Sequence, residues 1–145
     1  MKIRIAEKAD IERLIEYDEH IESKELESII LLGRVLIAEE GEKLVGWLRW
    51  NLFWDNTPFI NMLFLLEEYR YKGYGKAIIN YWETLMRQYG YTLVMTSTLS
   101  NETAQHFYRK LDYMDSGALL LPGEALEIIF TKQLSNLPLS FNQAR

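Results

Sequence analysis

Two short stretches carry the side chains best suited to chemistry. The first, Arg70-Tyr71-Lys72-Gly73-Tyr74-Gly75-Lys76, joins an apolar run to an amphipathic helical pattern. It reads as a strand end, then a basic glycine-containing turn that opens directly into a helix. The first amides of a helix have no partner within it, and their dipoles sum to partial positive charge. Such an end is an anion site. Gly73 and Gly75 remove Cβ atoms that would hold a phosphate off the backbone. Arg70, Lys72 and Lys76 add positive charge, which suits a phosphorylated ligand. Taken alone, a Gly-x-Gly is equally well a tight turn between strand and helix. The chain has neither the Gly-Lys-Ser/Thr of a P-loop nor the third glycine of a dinucleotide fingerprint.

The second stretch is Asn101-Glu102-Thr103-Ala104-Gln105-His106-Phe107-Tyr108-Arg109-Lys110-Leu111-Asp112-Tyr113. On a helix, Asn101, Ala104, Tyr108 and Leu111 share one face. A small residue at 104 leaves room for something to lie against that face. Asn101 offers a donor and an acceptor, and Tyr108 places a phenol further along. The bland alternative is an amphipathic helix with a partly buried core tyrosine.

The elements that must position these residues follow from periodicity and turn chemistry. Lys2–Ala6 alternates as a first strand. Asp10 is the expected N-cap of a helix carrying Ile11, Leu14 and Ile15. A second helix is expected from Ser23 to Leu32, with Leu26, Ile29 and Ile30 inward and Gly33 at its end. Arg34–Glu40 and Lys43–Asn51 form a hairpin through Glu40-Gly41-Glu42. Trp54-Asp55-Asn56-Thr57-Pro58 is a turn or loop, and Phe59–Leu66 an apolar run of strand length. Gly73–Tyr89 carries a helical stripe of Ala77, Ile78, Tyr81, Trp82, Leu85 and Tyr89. Tyr91–Ser97 is the next strand, and Ser100 is the expected cap of a helix through Lys110. Met114–Leu121 and Glu124–Lys132 are strands joined at Pro122-Gly123. The fold class is α/β: one domain over residues 1–134, with a mixed, mostly antiparallel sheet flanked by helices. The polar tail, 135–145, is read as mobile or docked elsewhere.

Composition narrows the function. The 145 residues suffice for one core, and 48% hydrophobic with 26% charged residues is ordinary for a globular protein. A net charge of −5 argues against a general nucleic-acid binder. There is no cysteine, so disulfides, thiolate metal ligation and a cysteine nucleophile are excluded. No apolar run reaches membrane-spanning length and the N-terminus has no signal-like core, so no membrane partner and a cytoplasmic location are expected. No His/Asp/Glu cluster has metal-ligand spacing, so no metal is expected. His20 and His106 are read as solvated or capping residues.

The two stretches together resemble the signatures of the GCN5-related N-acetyltransferase (GNAT) superfamily. Its pyrophosphate signature, Arg/Gln-x-x-Gly-x-Gly/Ala, is met by Arg70, Gly73 and Gly75. Its later signature, Asn-x-x-Ala-x-x-Phe-Tyr-x-Lys-Leu-Gly-Phe/Tyr, is met by Asn101, Ala104, Phe107, Tyr108, Lys110, Leu111 and Tyr113. Asp112 departs from the family glycine, which predicts an altered backbone in that turn. Glu67 replaces a proline found in many members. The resemblance runs from the first strand to about Lys132 and implies acetyl-CoA as co-substrate, in a cleft where a parallel central pair of strands splays apart. Its pyrophosphate would take amides from Tyr71 through Lys76. Its pantetheine would pair with the strand near Phe64, Leu65 and Leu66, whose backbone groups should be free at that end, and Asn101 and Ala104 would line the same arm. Tyr108 would be the general acid. A phenol near pKa 10 facing a thiol near 8.5 makes full donation uphill by roughly 2 kcal/mol, so a hydrogen bond to the developing thiolate fits better than early protonation. The developing oxyanion would be held by an amide near Leu65.

The resemblance implies that the acceptor is an amine of a small molecule, protein or peptide, which must lose a proton to attack. Bulk solvent or a carboxylate acting through water would take that proton; Asp55, Glu39, Glu67 and Glu127 are the carboxylates considered, each better read as a solvated surface or strand-end charge, and none is named as the base. Trp47, Trp50 and Trp54, with Asp18, Glu19 or Asp55, would suit a cationic substrate, although core packing accounts for at least two of these tryptophans. A non-catalytic acyl-CoA-binding or sensing module is the alternative function. A homodimer is the default oligomeric state.

Overall fold

The computed structural model describes residues 1–135; the tail expected to begin at 135 lies outside it from residue 136. Its strands are β1 (Lys2–Ile5), β2 (Val35–Glu40), β3 (Lys43–Phe53), β4 (Thr57–Leu65), β5 (Leu93–Leu99), β6 (Met114–Leu119) and β7 (Glu127–Gln133). Its helices are α1 (Ile11–Tyr17), α2 (Ser23–Leu31), α3 (Tyr74–Gln88) and α4 (Ala104–Lys110). The strands form one mixed sheet in the order β1-β2-β3-β4-β5-β7-β6, with β4–β5 parallel. The expected α/β class, mostly antiparallel with a parallel central pair, is the one observed. The chain divides into two compact units, Met1–Asn51 with Met62–Ile79, and Leu52–Asn61 with the chain from Asn80 onward.

In the first unit, β1, β2 and β3 pair antiparallel, with a bulge between Ala38 and Glu39. The helical spacing of Leu26, Ile29 and Ile30 turns all three inward, where they are buried with Leu14, Val35, Ile37 and Trp47. Removing such side chains from water is the main favourable term in folding. Asp10 does not cap α1 as expected. Its carboxylate turns back to Arg4, which meets it bidentately at 2.8 and 2.8 Å, and accepts from the Glu7 amide at 2.7 Å. A charged, two-pronged partner outcompetes a neutral helix amide.

In the second unit, β5 pairs antiparallel with β7, and β7 with β6. The β4–β5 ladder registers Phe59 with Met95 and Ile60 with Thr96, and stops there. The inward face of α3 keeps Ile78 and Trp82 of the expected stripe but not its tyrosines. Trp82, Glu83 and Met86 are buried, while Tyr81 and Tyr89 are exposed. Glu83 is accommodated because its carboxylate accepts from Tyr113 at 2.8 Å and Lys132 at 2.9 Å. Pro122-Gly123 forms a turn closed by the Glu124 amide on Leu121 O at 3.2 Å, with Gly123 at φ 75°. The strands expected to meet there stop at Leu119 and resume at Glu127.

Candidate functional site

The glycine turn lies in the first unit. A 3-10 turn at Glu67–Tyr69 follows β4, and α3 begins at Tyr74 directly after Gly73. The first helical bond of α3 runs from the Ala77 amide to Gly73 O, so the amides of Tyr74, Gly75 and Lys76 precede it and have no partner within the helix. Gly73 takes φ 86°, and a Cβ built on it meets no atom within 4 Å. Tyr71 takes φ 61° and is wholly exposed. A bulky residue in the left-handed region stores backbone strain, and here that strain falls inside the glycine turn. Lys72 and Lys76 are exposed. Tyr74 donates its hydroxyl to Glu40 at 3.0 Å, and that hydrogen bond raises the phenol above its ordinary pKa.

Arg70, expected to add positive charge for a phosphate, also has partners on β4. Its Nε donates to Leu65 O at 2.9 Å, and its guanidinium lies 5.1 Å from the centroid of Phe64. Phe64 stacks in turn on Trp47 at 4.8 Å. The Leu66 amide donates to Val45 O at 2.9 Å. The backbone groups expected to be free at the end of β4 are therefore already used at Leu65 O and Leu66 N. Gly46 on β3 allows this close approach, because a Cβ there would collide with Phe64 O and Leu65.

The second unit holds the phenol. Tyr108 is 5% exposed. Phe107, Tyr113 and Phe130 surround its ring, with centroids at 5.1, 5.3 and 6.3 Å. Burial pushes its pKa well above the ordinary phenol value, and the Thr96 hydroxyl beside it pulls the other way. Thr96 itself donates to Ile60 O at 3.1 Å. Asn101 is not on the helix as expected. It sits exposed in the turn before α4, and Ala104 is also exposed. That turn is tied by Gln105, which donates to Ser100 O at 2.8 Å and Glu102 O at 2.7 Å, and by Glu102 accepting from the Leu99 amide at 3.1 Å. Asp112 takes φ 71°, the conformation glycine adopts freely and aspartate tolerates. The turn is made with the aspartate in place.

The four carboxylates considered as bases separate clearly. Desolvation would raise Glu39, but Arg13 and Arg4 outweigh it and hold the carboxylate below its ordinary range. Glu39 bonds both, at 2.7 and 2.9 Å, and is a structural ion-pair member. Asp55 and Glu67 are exposed. Glu127 is half-buried and accepts the Ser97 hydroxyl at 2.8 Å. Asp18, named as part of a cation site, instead accepts from Arg49 Nε at 2.8 Å and Trp47 Nε1 at 3.0 Å. Trp47 and Trp50 are buried, whereas Trp54 is 80% exposed. Sequence reading missed Thr96 and Thr98, although their alternation on a strand puts both on the face of Tyr108. Among the described residues, no group of three or more His, Cys, Asp or Glu could hold a metal ion, and no helix is long and apolar enough to cross a membrane.

A family model described as the acetyltransferase (GNAT) family matches residues 5–113. No curated protein matches the sequence. The fold is similar to a GNAT-family acetyltransferase from Bacillus cereus, with 23% identity over 94% of this chain and 98% of that one, at a TM-score of 0.75. It is also similar to the PaiA N-acetyltransferase from Thermoplasma acidophilum in complex with coenzyme A (20% identity, 91% and 98% covered, TM-score 0.76). A third similar structure is YncA from Salmonella typhimurium, a putative acetyltransferase with its cofactor acetyl-CoA (18% identity, 95% and 96% covered, TM-score 0.77).

Proposed function

This chain belongs to the GNAT family of acetyltransferases, and on that premise we propose that it transfers an acetyl group from acetyl-CoA directly to an amine of a small molecule or a peptide. The observation that carries the reading is the turn into α3. Three amides without helical partners, two exposed lysines and open space beside Gly73 form a donor set that fits a diphosphate. In this reading the amides from Tyr71 to Lys76 hold the pyrophosphate. The end of β4 at Phe64, Leu65 and Leu66 is assigned to the pantetheine arm, although Leu65 O and Leu66 N are already bonded; the motif assigns Asn101 and Ala104 to the same arm. Arg70 contributes by bracing Phe64 and Leu65 O. Acetyl-CoA, when bound, supplies an activated acyl carbon and a thiol leaving group. Tyr108 offers its O–H as a hydrogen bond to the leaving sulfur. Its raised pKa keeps the proton on the phenol, so it stabilises charge without giving the proton up early. A cytoplasmic setting suits a chain without cysteine.

A CoA-binding sensor is the second reading, favoured by the burial of the Tyr108 hydroxyl. Calorimetry with CoA and thiol release from acetyl-CoA over a panel of polyamines and peptide N-termini separate the two. Binding with turnover on at least one amine is expected. Binding without turnover on any amine would favour the sensor, and no CoA binding would overturn both.

A further inference from the structure

Two consecutive glutamates end β2, and successive strand residues face opposite sides of a sheet. Glu39 is taken up by Arg4 and Arg13. Glu40, half-buried, turns the other way and accepts the Tyr74 hydroxyl at 3.0 Å. Tyr74 is the residue at which α3 begins. Its ring also meets Tyr69 edge-on at 5.8 Å, and Tyr69 ends the 3-10 turn that leads into the glycine turn. One side chain therefore spans the Arg70–Gly73 segment and fastens its far end to β2, all within the first unit.

The segment between these anchors is thinly supported. Tyr71 is wholly exposed at φ 61°, and a Cβ built on Gly73 would meet nothing within 4 Å. Arg70 ties the near end to Leu65 O. A bulky residue keeps a positive φ only where its surroundings impose it. The free amides of Tyr74, Gly75 and Lys76 bind an anion best when they converge before it arrives, because ordering them on binding costs affinity. A carboxylate attached to the residue that opens an anion site would, by charge alone, oppose a diphosphate. As a hydrogen-bond acceptor that fixes Tyr74, the same carboxylate would favour it. We propose that Glu40 is a positioning residue for the cofactor: by accepting the Tyr74 hydroxyl, it holds the first free amide of α3 where the diphosphate needs it. The proposal rests on the acetyl-CoA reading above.

Calorimetric titration of the full chain with CoA tests it. Tyr74→Phe keeps the ring against Tyr69 and removes only the hydroxyl, and it should weaken binding about three- to tenfold. Glu40→Ala should weaken binding to the same extent, and the double variant no further. Glu40→Gln keeps an acceptor without the charge and should bind within about twofold of wild type. The Met1 ammonium also lies 3.4 Å from Glu40 Oε1, so Tyr74→Phe, which leaves that contact intact, is the deciding variant. Undiminished CoA affinity in Tyr74→Phe would overturn the proposal while leaving the acetyl-CoA reading intact. Tighter binding by Glu40→Ala would also overturn it, since the carboxylate would then act only by repelling phosphate. So would a Glu40→Gln variant as weak as Glu40→Ala. Wild-type protein that fails to bind CoA would instead sink the acetyl-CoA reading, and this inference with it.

Discussion

Replacing Tyr108 by Phe separates a chemical role from a packing role, because the structure gives the two different magnitudes. Phe keeps the ring against Phe107, Tyr113 and Phe130. What disappears is one hydroxyl and its contact with Thr96. Thr96 gives its own O–H to Ile60 O, so the substitution strands no donor. The stability loss should therefore be about 0.5–1.5 kcal/mol, one net hydrogen bond. If the phenol serves the leaving sulfur, turnover should fall by roughly 100-fold, or about 2.7 kcal/mol of barrier. The KM for acetyl-CoA should change much less. Denaturant unfolding measures the first quantity, and thiol release at saturating acetyl-CoA the second. The wild-type profile adds a check. Burial raises the phenol above its ordinary value of about 10, so Tyr108 should produce no alkaline loss of kcat below about pH 10. A kcat within threefold of wild type, alongside the expected stability loss, would make Tyr108 a packing residue and refute the assignment.

Two further predictions concern the scaffold. Arg4→Met removes the partner of Asp10 and Glu39, whose carboxyls are both held below their ordinary range, Asp10 chiefly by its hydrogen bond to Arg4. Depressed carboxyls stabilise the fold above their unfolded pKa and lose that contribution as pH falls through the folded values. The variant should be less stable by about 1–2 kcal/mol at pH 7, after allowance for solvent screening. Urea unfolding should show the gap closing below about pH 4, and a gap unchanged at pH 3 would contradict the ion-pair account. At the β3–β4 hairpin, Trp54 and Asp55 take φ 54° and 64°, and the Asn56 amide bonds Phe53 O at 3.2 Å. This φ pattern suits Asn-Gly, so Trp54→Asn with Asp55→Gly should stabilise the protein by about 1–2 kcal/mol. A lower unfolding midpoint would show that the Trp54 ring, 4.7 Å from Phe53, contributes more than the strain costs.

The glycine turn was readable because its signals are local. Gly73 and Gly75, the lysines and the apolar periodicity after them all lie within a few residues. The start of α4 was not readable from the same kind of signal. Ser100, Asn101 and Thr103 are all acceptable caps, and the choice fell to Glu102 and Gln105 side chains that hold residues 99–103 in a turn. Arg70 illustrates the same limit. Its charge suggested a phosphate, but the guanidinium also has a carbonyl and an aromatic face within reach on β4. Glu39 looked available as a base, and two arginines distant in sequence claim it.

By itself, the sequence determined the element types, the α/β class and the turn that opens α3, because periodicity and glycine chemistry act over a few residues. Only the tertiary structure decided which charges were already paired, that the Tyr108 phenol is buried, and that Thr98 keeps a hydroxyl without a partner among the described residues. Those properties depend on groups brought together from distant strands and helices, where desolvation and partner geometry outweigh anything a side chain shows alone.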